Sequence, residues 1–101
     1  MTKELYRYAF HPRVPFEEIA ASLLLAVWGA VNRHGEDRVA ADAAHSLDPH
    51  RRACIIDAGT PVGRDLNRLF AHFGRRKLSE DAYRVDCLVT DHNHATEEAH
   101  V

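Results

Sequence analysis

The sequence predicts an α+β fold, a two-layer sandwich in which two helices cover one face of a four-stranded antiparallel sheet. Three observations carry that expectation. Segments of period-2 and period-3.6 apolar patterning follow one another as strand, helix, strand, strand, helix, strand within the first 90 residues. Each helical stripe is one-sided, so each helix needs a second layer to bury it. The chain has 101 residues, enough for one domain of this size.

Leu5 to Phe10 alternates, with Tyr6, Tyr8 and Phe10 on one side and Leu5, Arg7 and Ala9 on the other, which reads as the first strand. His11-Pro12-Arg13-Val14-Pro15 ends it, because prolines cannot donate to the ladder and force extended neighbours. Pro15 precedes a long helical pattern, Phe16 to Arg33, with Glu17 and Glu18 suited to the positive end of its dipole. Phe16, Ile19, Ala20, Leu23, Val27, Ala30 and Val31 are its expected buried face, Glu18, Ser22, Gly29 and Arg33 its opposite face, and His34-Gly35 its end. Ala21, Leu25 and Trp28 lie off the stripe as an apolar flank.

Arg38 to Leu47 alternates as a second strand, although alanine is a poor strand former. Asp48-Pro49-His50-Arg51 turns the chain into a third strand, Arg52 to Ala58, which makes a hairpin with the second. Thr60 as N-cap and Pro61 at the first position start a second helix, whose apolar side is Val62, Leu66, Leu69, Phe70 and Phe73. Arg64, Arg68 and Arg75 line the other side. Tyr83, Val85, Cys87 and Val89 alternate against Arg84, Asp86 and Leu88 in the fourth strand. With right-handed crossovers the expected topology is ferredoxin-like βαββαβ, sheet order 4-1-3-2. The domain is read as residues 1–90, and residues 91–101 as a disordered polar His/Glu-rich tail.

The sheet order separates Cys54 from Cys87 by the first strand, roughly 9 to 10 Å and beyond disulfide reach. Both thiols are expected to be buried and inert. A hydrophobic fraction of 46% with 28% charged residues suits a globular chain, and no apolar run reaches the length of a membrane span. The amino terminus has no apolar signal core, which makes a cytoplasmic location the expectation. The net charge of −2 gives no overall attraction to nucleic acid.

Local chemistry offers three candidates. The turn Asp57-Ala58-Gly59-Thr60-Pro61-Val62-Gly63-Arg64 presents backbone N–H groups and an arginine to an anion or small ligand, with His11 and Arg13 as companions at strand ends. The arginines Arg64, Arg68 and Arg75 would follow phosphates if the chain bound nucleic acid. The tyrosines of the first strand belong under the helices, however, and the third strand lacks the exposed rings of an RNA-recognition module. The Ala21, Leu25 and Trp28 flank, with the same arginines, would meet a protein partner.

Eight histidines are present, and only His92, His94 and His100 in the tail approach a chelating tract, so no metal and no cofactor are expected. The expected topology with Arg13 after the first strand resembles the acylphosphatases, which bind phosphate there. That family's glycine-rich loop and strand asparagine have no counterpart in this chain. No nucleophile sits beside a base in the pattern. The functional expectation is a small non-catalytic binding or regulatory module acting as a homodimer or docked on a protein partner.

Overall fold

The computed structural model describes residues 2–78 and 80–91, in the order β1 (Thr2–Phe10), α1 (Phe16–His34), α2 (Glu36–Asp42), β2 (His45–Asp48), β3 (Ala53–Asp57), α3 (Pro61–Lys77), a short 3-10 turn (Glu80–Ala82) and β4 (Tyr83–Asp91). The four strands form one sheet of order β2-β3-β1-β4, and every neighbouring pair is antiparallel. That is the expected order read from the other edge. The tail expectation lies outside the described residues, apart from Asp91, which is the last residue of β4.

Period-2 alternation places Tyr8, Phe10, Cys54 and Ile56 on one face, and the helices bury that face. Ile19, Leu23, Ala26 and Ala30 of α1 and Val62, Leu66 and Phe70 of α3 complete the core. Phe70 meets the ring of Tyr8 edge-on at 4.8 Å, the arrangement that aromatic quadrupoles favour.

Among the described residues there are three helices, not two. Residues 38–42, expected as strand, belong to α2, and β2 is only the four residues His45–Asp48. Alanine is the strongest helix former, so Val39-Ala40-Ala41 settles into a helix as soon as one is nucleated. Gly35 supplies the break between α1 and α2 with a φ of 92°, a backbone conformation that side chains disfavour. Glu36 and Asp37 then occupy the first turn of α2, where the dipole favours acids, and Val39 drops into the core.

The orientation of α1 also differs from expectation. Ser22 is buried, and Gly29 faces Leu69 of α3, whose Cδ1 lies 3.0 Å from where a Cβ would be. This face packs on α3 because small residues let two helices approach closely. Cys54 is opposite Tyr8 and Cys87 opposite Tyr6, so β1 does separate the two free thiols. Cys54 is buried as expected, but Cys87 is exposed because the helices do not reach over β4.

Candidate functional site

The Asp57 to Arg64 turn is built from tight local contacts. Asp57 Oδ1 accepts the N–H of Gly59 at 2.9 Å, and Thr60 Oγ1 accepts the N–H of Gly63 at 2.9 Å as the N-cap of α3. The Thr60 hydroxyl also donates to the carbonyl of Asp42 at 2.5 Å, which ties α3 to the end of α2. The Arg64 N–H bonds to Thr60 O, and Pro61 has none to offer. A Cβ on Gly63 would stand 2.0 Å from the Asp57 carbonyl oxygen, so the chain itself fills the space over this first turn. Gly59 and Thr60 are therefore engaged in the turn, and Arg64 is exposed beside it.

His11 and Arg13 are at the other end of the sheet. Asp57 is opposite Leu5 on β1, and His11 follows β1 six residues further along, a separation of roughly 20 Å. Arg13 pairs with Asp81 at 3.1 Å, and its N–H donates to His11 Nδ1 at 3.1 Å. The two halves of the sequence-derived ligand site do not meet. A shallow hollow beside His11 is lined by Phe10, Asp81, Ala82, Tyr83 and Arg84.

A cluster that the sequence pattern did not reveal joins α1 to α3. Asp65 lies 2.7 Å from His34 Nε2, 3.3 Å from Arg33 Nε and 2.5 Å from an Arg68 guanidinium nitrogen. The Arg68 hydrogen bond, helped by His34 and Arg33 and opposed by partial burial, holds the Asp65 carboxyl below its ordinary range. Arg68 is thereby tied to its own helix, and Arg64, Arg68 and Arg75 are all exposed. Burial pushes the Cys54 thiol up to about 12 and raises the Tyr8 phenol, whose hydroxyl donates to Asn67 Oδ1 at 2.6 Å. The neighbouring Cys87 raises the Tyr6 phenol as well. Tyr8 and Cys54 are thus held in the neutral forms that their burial favours.

Apolar exposure is concentrated on two surfaces. On α1, Leu24 (50% exposed) and Trp28 (58%) stand out, with Ala21 exposed and Leu25 half-buried beside them. Leu24 rather than Leu25 is the outermost leucine. Trp28 also borders a cleft of about 410 Å³ lined by Val31, Val39, Ala40 and His45. On β4, Val85, Leu88 and Val89 are exposed on both faces of the strand. Among the described residues no cluster of three or more His, Cys, Asp or Glu is placed to hold a metal, and no helix is long and apolar enough to cross a membrane. No protein-family model matches the chain, and no curated protein matches it either.

Proposed function

We propose that this chain is a small ferredoxin-like binding or regulatory module of the cytoplasm that works by contact with another protein chain, as a homodimer or docked on a partner. The observation that carries this reading is the distribution of apolar exposure. The large exposed hydrophobics fall on the outer stripe of α1 and on β4, instead of being scattered singly as on an ordinary surface. The order of the strands and their antiparallel pairing support the ferredoxin-like class. The occupied turn at Asp57 to Arg64 and its distance from His11 and Arg13 favour this reading over a ligand-binding enzyme.

Sedimentation equilibrium of the full chain at micromolar concentration tests it. The expected result is a species of twice the 11.4 kDa chain mass, with substitution of apolar surface residues by glutamate shifting it toward monomer. A monomer at every concentration, equally unaffected by Leu24→Glu and Trp28→Glu, contradicts the homodimer reading.

A further inference from the structure

We propose that a second copy of this chain pairs with β4 edge to edge, antiparallel about a twofold axis at Val85, and joins the two sheets into one of eight strands. The proposal rests on the binding-module reading and names its partner and surface.

The two edges of the sheet are unlike. β2 has four residues, ends at Asp48 and is followed directly by Pro49, the kind of short edge that resists pairing. β4 has nine residues, contains no proline, and keeps an unbroken register with β1 from Tyr83 to Asp91. It carries apolar side chains on both faces, has no bulge against β1, and its Arg84 and Asp86 are of opposite sign.

Backbone direction shows which groups this edge offers. The N–H of Phe10 and the carbonyl of Glu4 bond toward β3, and the N–H of His11 bonds to Ala82. By alternation the odd-numbered residues of β1 face β4, so their partners Arg84, Asp86 and Leu88 turn their backbone groups inward. Tyr83, Val85, Cys87 and Val89 turn theirs outward, where no strand among the described residues pairs with them. An unpaired row on an edge strand is a template for another strand, and the part from Tyr83 to Cys87 is what a twofold axis at Val85 shares.

Charge selects the register. Opposed residues in an antiparallel ladder must both aim their backbone groups across the pair or both aim them away, so the twofold axis falls on a residue. An axis at Arg84 or Asp86 sets like charges against each other, and one at Cys87 sets Asp86 against Leu88. An axis at Val85 places Arg84 opposite Asp86 of the second copy, twice over, on the face away from the helices. The same axis puts Tyr83 opposite Cys87 and brings the two Val85 side chains together on the other face. α3 reaches Tyr83 at the start of β4 but leaves Val85 and Cys87 exposed, which gives the second copy room to approach there.

The test is charge reversal, read by sedimentation of the full chain. Arg84→Asp is expected to weaken self-association about tenfold, and Arg84→Asp with Asp86→Arg to restore it. Both positions are exposed, and an unchanged thermal midpoint and circular dichroism spectrum confirm that each variant folds. In a Cys87→Ser background, Val85→Cys is expected to form a disulfide-linked dimer on mild oxidation. A dimer indifferent to Arg84→Asp, or one that the double reversal fails to restore, overturns the edge pairing and leaves the binding-module reading standing. A monomer at every concentration overturns both this proposal and the homodimer reading.

Discussion

Asp65 holds the two long helices together, with three cationic or hydrogen-bonding side chains around a carboxylate that is 13% exposed. Its carboxyl is held below the ordinary value of about 3.9, so its contribution to stability is complete above that pH and is lost as the pH falls through the lowered folded-state value. Asp65→Asn is therefore expected to cost about 2 kcal/mol at neutral pH in urea unfolding, with the gap to the parent closing in acid. A gap of constant size down to about pH 2 would show that the charge is not responsible. Nothing in the sequence announces this residue, because His34 and Asp65 meet only through the packing of α1 on α3. By contrast, Thr60 and Pro61 were legible as cap and first helical residue, since capping is local chemistry. Gly63 belongs between these cases: a glycine in the first turn suggests close approach, but only the fold shows that Asp57 is what approaches.

At the scale of elements, α1, α3, β1, β3 and β4 follow from periodicity because each has large apolar residues that mark one face. The segment from Glu36 to Ala44 has few such markers, and alanine alternates as readily in a strand pattern as it fills a helix. The distinguishing signal was present in Gly35-Glu36-Asp37, a break followed by acids suited to a helix start. Ala41 is exposed on α2 and makes a direct probe of its state. In a helix Ala41→Val is expected to lower stability by about 0.5 kcal/mol, whereas in a strand the branched side chain would raise it. The urea midpoint decides between the two. The sequence also marked the inner face of α1 too narrowly, because Ser22 and Gly29 look polar or neutral on a helical wheel. Their small size is what admits α3.

For the whole molecule, the important consequence of the helix packing is what it leaves open. The helical layer covers β3 and β1 and reaches only Tyr83 of β4, so Val85, Cys87 and Val89 are exposed although they lie on the core side of the sheet. Sequence alternation identified that side correctly and could not show that no helix covers it. Likewise, the apolar flank of α1 was legible from Ala21, Leu25 and Trp28, while the greater exposure of Leu24 depends on how α1 is turned against α3. The proposed contact is the pairing of β4 with β4 of a second copy. Amide hydrogen exchange at Val85, Cys87 and Val89, measured over a range of protein concentrations, reads out that pairing residue by residue. Edge pairing predicts that the Val85 and Cys87 amides gain protection as concentration rises, while Val89, opposite Asp81 of the 3-10 turn and so beyond the shared ladder, gains none. Rapid exchange at Val85 and Cys87 at every concentration, or protection independent of concentration, would contradict it.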